Sequence, residues 1–205
     1  MEKKRDEKSE PSAERLLEFV LIKHGFFLTM LEQKELSLYV ETLIKWNRTH
    51  NLTSLKTVLE IIHTHILESL LAMSLIREEL IACNKKKVLD VGSGNGIPGI
   101  VWAILFKNVK FTLIEKSSKR ATFLRHVSGL LNLTGRVKII EKNIIKIKLS
   151  ELFDIITSRA FADGKSFLEM TNRFANKKTQ WLLFNTTKTS ILPNSRFLRD
   201  QKFVM

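Results

Sequence analysis

The chain has 205 residues, 44% of them apolar, with 34 lysines and arginines against 21 acidic residues and a net charge of +13. That length suits one full α/β core with a small appendage and excludes two large domains. The single cysteine, Cys83, excludes an internal disulfide and a cysteine-based zinc site, and it fits a reducing compartment. A field of this sign draws polyanions, so nucleic acid is the first candidate partner, although a coding bias toward lysine also produces basic chains with no such role.

Residues 1–11, MEKKRDEKSEP, read as a charged tail without an apolar run of the signal-peptide kind, and the expected location is the cytoplasm. Ser12 is placed to cap a helix whose Leu16, Leu17, Val20 and Leu21 recur at helical spacing. A second helix is expected from about Gln33 to Asn47, and a third helical region from about Thr57 to Ile81. In that third region His63, His65 and Glu68 interrupt the apolar run, giving an amphipathic helix and not a membrane span. Both histidines are expected at the surface or in satisfied polar contacts. Residues 12–84 thus read as a helical portion.

From Lys85 the pattern changes. Strands are expected at Lys87–Val91, Lys110–Ile114, Val137–Ile140, Phe153–Thr157 and Gln180–Phe184. They alternate with helices that begin near Pro98 or span Ser117–Leu131 and Ser166–Phe174. This alternation predicts right-handed crossovers and a mostly parallel, doubly wound sheet over residues 85–205, with ligands at the carboxyl ends of its strands.

The stretch VLDVGSGNGIPGI, Val88 to Ile100, lies at one such end. Gly94 to Gly99 is a literal GxGxxG after a strand, and Glu115 follows at about the twenty-residue distance of a ribose-binding carboxylate, so a dinucleotide fits. The glycines begin earlier, however, as Asp90-Val91-Gly92-Ser93-Gly94-Asn95-Gly96, a form that looks like the first motif of methyltransferases using S-adenosylmethionine. A carboxylate beside the loop suits that ligand's amino group and disfavours a pyrophosphate. Glu115 suits the ribose diol of either ligand.

Acceptor chemistries leave different marks. Cytosine C5 methylation needs a cysteine nucleophile, and Cys83 precedes the first strand. Exocyclic adenine methylation commonly places an Asn/Asp-Pro-Pro-aromatic turn after the fourth strand, where this chain has Thr157-Ser158-Arg159-Ala160-Phe161. Guanine N7 carries a free lone pair and needs alignment without a general base, which agrees with the lack of an acid/base constellation.

The stretches Lys45-Trp46-Asn47 with Asn51-Leu52-Thr53, His65 to Leu70, Asp90 to Gly99, Leu113 to Ser117 with Lys119-Arg120 and Phe123-Leu124-Arg125, and Phe153-Asp154 with Ser158 to Phe161 together carry a resemblance. The chain resembles the small-subunit ribosomal RNA guanine-N7 methyltransferases, the glucose-inhibited-division-B family, from about Lys34 to Phe174. The resemblance implies a Rossmann-like methyltransferase fold of seven strands behind an N-terminal helical extension. It implies S-adenosylmethionine as cofactor and, as substrate, one guanine in the 530 loop of 16S ribosomal RNA in the small ribosomal subunit. Asp90, Gly92, Gly94, Gly96 and Ile97 would meet the cofactor, Glu115 its ribose, and Asn143 and Ile144 its adenine. Arg159 would reach the methionine end or the acceptor base and is the candidate catalytic residue. Lys116, Lys119, Arg120 and Arg125 would meet phosphates or stand as solvated helix charges. No metal and no membrane are implied, and a monomer is the default expectation. The chain departs from the family at Glu68, usually Asp, at Ile144, usually acidic, and at Asn185-Thr186, usually Lys-Gly, and the tail to Met205 is shorter. An RNA- or ribosome-binding protein without turnover is the second reading, and a nicotinamide oxidoreductase the third.

Overall fold

The computed structural model describes residues 11–76, 86–159 and 163–184, together with the backbone of 189–192. Helix α1 (Ala13–Lys23) starts as expected at Ser12, whose hydroxyl accepts the Arg15 N–H at 3.3 Å, and it buries Leu17, Val20 and Leu21. Helix α2 (Met30–His50) begins earlier than the apolar period indicates. Its first turn carries Met30 and Leu31 at 87% and 60% exposure, so burial periodicity says nothing there. The start is set instead by a capping box in which Thr29 and Glu32 exchange side-chain and backbone hydrogen bonds.

A second capping box, Thr57 with Glu60, opens α3 (Val58–Ile61). The chain then makes a π-helical turn, Ile62–Leu67, before α4 (Glu68–Ser74). A π turn holds more residues than an α turn, so the side chains after it shift around the axis. His65 falls on the inner face with Ile62 and Ile66 and is 5% exposed, so of its two expected settings, the surface or satisfied polar contacts, it takes the second. The expected continuation to Ile81, and Cys83, lie outside the described residues.

Among the described residues six strands form one sheet: β1 (Lys87–Val91), β2 (Lys110–Glu115), β3 (Val137–Glu141), β4 (Phe153–Ser158), β5 (Ala175–Phe184) and β6 (Thr189–Leu192). Their order is β3-β2-β1-β4-β5-β6, with β1 to β5 parallel and β6 antiparallel to β5. Helices α5 (Gly99–Leu105), α6 (Ser118–Leu130) and α7 (Gly164–Thr171) connect the parallel strands. Pro98 sits one position before α5, as the residue that caps it. The expected final helix ends earlier, because Asn172–Phe174 turns as a 3-10 helix into a strand that starts at Ala175. The order reverses between β1 and β4, and the glycine loop leaves β1 at that reversal, where open α/β sheets bind ligands.

Alternation along the strands sends Val88, Phe111 and Leu182 to one face and Leu89, Ile114 and Trp181 to the other. The first face joins a cluster that also contains Leu17, Leu43 and Ile66, so the N-terminal helices share a core with the sheet. Trp102 of α5 is fully buried in that cluster and donates its indole N–H to the Ser69 carbonyl at 2.9 Å. The second face is covered by Phe167 and Phe174. Among the described residues no helix is long and apolar enough to cross a membrane.

A shared core predicts one unfolding transition. In urea, far-ultraviolet circular dichroism and tryptophan fluorescence should report the same midpoint, and Trp102→Ala should lower the unfolding free energy by about 3–5 kcal/mol.

Candidate active site

The loop after β1 is held from the neighbouring strand. Gly92 and Ser93 both donate their N–H to the Ile114 carbonyl, at 2.8 and 3.0 Å. Glu115, 4% exposed, accepts the Gly94 N–H on one oxygen and the Ser117 N–H on the other, each at 2.8 Å. The carboxylate expected to meet a ribose therefore also pins the loop and the start of α6.

The loop glycines divide by what surrounds them. At Gly94, with φ +58°, an added Cβ would meet only the Gly92 carbonyl at 3.9 Å. At Gly96, with φ +97°, it would lie 2.5 Å from Ile100 Cγ1 and 3.1 Å from Leu124 Cδ2. Gly96 therefore answers to internal packing, and it lines neither cavity described below. Gly99 serves likewise, since a Cβ there would sit 2.6 Å from Asp90 Oδ2.

Asp90 also lies beneath the loop and not along either cavity. It is fully buried, its Oδ2 accepts the Gly99 N–H at 3.2 Å, and its Oδ1 has no hydrogen-bond partner among the described residues. Burial pushes its carboxyl up to about 8, with the charge of Glu115 adding to the rise and the Gly99 N–H opposing it.

A first cavity of about 360 Å³ opens beside the loop, with apolar walls from Ile114, Ile144 and Met170 and polar groups from Glu115 and Asn143. Asn143 caps a short 3-10 turn by accepting the Ile145 N–H at 3.0 Å, and Arg173 donates to the Ile144 carbonyl, so the wall after β3 is tied down.

A second cavity, of about 310 Å³, is lined by Thr53, Ser54, His65, Asn95, Ile97 and Arg159 and shares Gly92 and Arg120 with the first. One wall comes from the glycine loop and the other from His65 and the turn between α2 and α3. Asn47 of α2 accepts the Thr53 N–H and donates to the Leu55 carbonyl, both at 2.9 Å, which fixes the 51–55 turn. Tyr39 donates its hydroxyl to the Asn95 carbonyl at 2.9 Å, and burial raises that phenol well above its ordinary value.

Arg159 follows β4. Its guanidinium lies 3.0 Å from Glu68 Oε2 and 2.6 Å from His65 Nδ1, and His65 Nε2 is 3.0 Å from the Asn95 side-chain amide. Burial, reinforced by the arginine charge, lowers His65 to about 4 and keeps the ring neutral. Burial raises Glu68 while Arg159 opposes it.

The structure thus gathers Gly92, Glu115, Asn143 and Ile144 at the first cavity, and Gly92, Gly94, Ile97 and Arg159 at the second. Arg120 and Lys116 reach the first cavity, whereas Arg125 is engaged by Glu141 at 2.6 Å. His65 and Asn95 were missed as functional candidates, although both fall in stretches that carried the family resemblance. Ala160, Phe161 and Asn185-Thr186 lie outside the described residues.

Sheet order, switch-point loop and paired cavities define the Rossmann-like fold of S-adenosylmethionine-dependent methyltransferases. Two solved structures share it at a TM-score of 0.56 and 16% identity. One, assigned as an O-methyltransferase of Klebsiella pneumoniae, covers 80% of this chain and 69% of its own. The other, assigned as a caffeoyl-CoA O-methyltransferase of Staphylococcus aureus, covers 82% and 71%. The model of the GidB family, rRNA small subunit methyltransferase G, matches residues 32–193, and the chain belongs to that family. The ribosomal RNA small subunit methyltransferase G of Stutzerimonas stutzeri is 35% identical over 158 residues, 77% of this chain and 71% of that one. That of Aquifex aeolicus is 33% identical over 153 residues, 75% and 76% of the two chains.

The Asp90 carboxyl, raised from an ordinary 3.8 to about 8, favours the native state fully below the lower value and loses that effect as pH rises through the higher. Asp90→Asn keeps an acceptor for Gly99 and removes this titration. The melting temperature of Asp90→Asn relative to the native chain should therefore climb between about pH 5 and about pH 9.

Proposed function

We propose that this protein transfers a methyl group from S-adenosylmethionine to N7 of one guanine in small-subunit ribosomal RNA. The observation that carries the proposal is the meeting of two unlike cavities at Gly92 and Arg120. One is an apolar slot with a carboxylate and the other a polar chamber with Arg159. S-adenosylmethionine has two matching halves, a flat adenosine with a ribose diol and an ionic methionine end.

Residues present fit that group. Glu115 already accepts two amide N–H groups, and its oxygens keep lone pairs for ribose hydroxyls. Ile114, Ile144 and Met170 flank a space suited to an adenine ring. Gly94 leaves the loop open where a side chain would intrude. When bound, S-adenosylmethionine supplies an electrophilic methyl carbon on a sulfonium. The chain's part is to align the acceptor with it, and positioning of this kind is worth about 7–11 kcal/mol.

The second cavity favours an acceptor that needs no base. No carboxylate lines it, and His65 has its Nδ1 lone pair engaged by Arg159. A guanine N7 lone pair meets that condition without proton transfer. Arg120 and Arg159 give the chamber positive charge, which suits a nucleotide and its phosphates, and the net charge of +13 extends the attraction to the surrounding RNA. The family's relatives are named for small-subunit ribosomal RNA, which supports this substrate and a cytoplasmic location.

Small ribosomal subunits from a strain lacking this gene, incubated with methyl-labelled S-adenosylmethionine, should acquire one label in the RNA, and strand cleavage specific for N7-methylguanine should locate it. Label at another atom or none at all would sink the proposal. The two glycines provide a separate check. Gly94→Ala should weaken S-adenosylmethionine binding at least tenfold by calorimetry while costing about 1 kcal/mol of stability, and Gly96→Ala should cost about 2–4 kcal/mol by urea unfolding.

A further inference from the structure

Three side chains on the wall of the second cavity, His65, Asn95 and Arg159, stand in line with Glu68, which pairs with Arg159. Glu68 and His65 come from the N-terminal helices, Arg159 from the end of β4, and Asn95 from the glycine loop. An arginine can only donate, so His65 Nδ1, 2.6 Å away, accepts, and the single ring proton resides on Nε2. Nε2 lies 3.0 Å from Asn95 Nδ2, and because two donors cannot face each other this tautomer requires the Asn95 amide turned over, with its oxygen taking the N–H.

His65 is itself anchored from behind. Its carbonyl accepts the Ser69 hydroxyl at 2.6 Å, and the Ser69 carbonyl accepts the Trp102 indole N–H at 2.9 Å. His65 lies in a π turn, and turns of this kind recur at functional sites. Burial keeps the ring neutral, so it can accept from one side while donating to the other.

We infer that His65 is a positioning residue whose ring holds the Arg159 guanidinium at the second cavity and braces it against the loop through Asn95. Arg159 and the loop are thereby kept in register, which is the alignment that transfer between two bound molecules requires. The inference rests on the reading of the second cavity as the acceptor site.

Two conservative replacements separate this role from simple filling of the core. The carboxamide of asparagine branches where Nδ1 is attached, so His65→Asn offers Arg159 an oxygen but leaves Asn95 without its partner. Glutamine branches one carbon further out, so His65→Gln serves Asn95 and leaves Arg159 unheld. His65→Leu should lower kcat/KM for methylation of the small subunit about 10- to 100-fold, with the loss mainly in kcat. His65→Asn should recover most of that loss and His65→Gln little. Recovery by His65→Gln in place of His65→Asn, native rates in all three variants, or rates that follow the melting temperatures would overturn the inference. Nitrogen NMR of the native imidazole gives a readout independent of transfer and should show the neutral ring protonated on Nε2. A charged ring or a proton on Nδ1 overturns the inference. A native chain that transfers no methyl group while showing the expected tautomer would instead refute the proposed function alone.

Discussion

The Glu115 carboxylate, holding the amides of Gly94 and Ser117 at 2.8 Å, is the contact on which the rest of the site depends. Nearly excluded from water, it makes charge-assisted hydrogen bonds in a low-dielectric setting, where they are strong and directional. It fixes the turn after β1 and the entry into α6 with one side chain while forming part of the first cavity's wall. On the other side the buried Asp90 carboxyl accepts the amide of Gly99 where α5 begins. Two acidic side chains on adjacent strands thus set the path of the glycine loop before any ligand arrives.

The N-terminal helices are part of the site and not an appendage to it. Leu17, Leu43 and Ile66 pack into the same cluster as Trp102 and Phe123, so the helices have no core of their own against which to move. From that base Asn47 sets the 51–55 turn, Tyr39 holds the Asn95 carbonyl, and His65 reaches Arg159. A pocket wall carried on packed helices is more precisely placed than one carried on loops alone. The two cavities differ accordingly, one drawn from the sheet and its connections, the other from sheet and helices together.

Much of this was legible in the residues. The strand runs, the Ser12 cap and the parallel sheet follow from local period and capping chemistry, and the Asp90 to Gly99 loop announced a ligand at the switch point. Glu115, Asn143, Ile144 and Arg159, which the resemblance assigned to ligand contacts, stand on cavity walls. The early start of α2 was also written in the chain, as Thr29 with Glu32, but apolar spacing overlooked it because Met30 and Leu31 face outward.

What the sequence determined alone is whatever depends on near neighbours: caps, strand runs, and a glycine loop with its carboxylate one strand away. Tertiary structure decided which glycine faces open space and which faces packing, since Gly94 and Gly96 look alike until Ile100 and Leu124 close on one of them. It likewise decided that His65 meets Arg159, 94 positions further along. His65 shares the buried face of Ile61, Ile62 and Ser69 at helical spacing, but the arginine it meets arrives only when β4 pairs with β1. Local chemistry repeats along the chain and can be read there, whereas a contact between distant residues exists only once the core has folded around both.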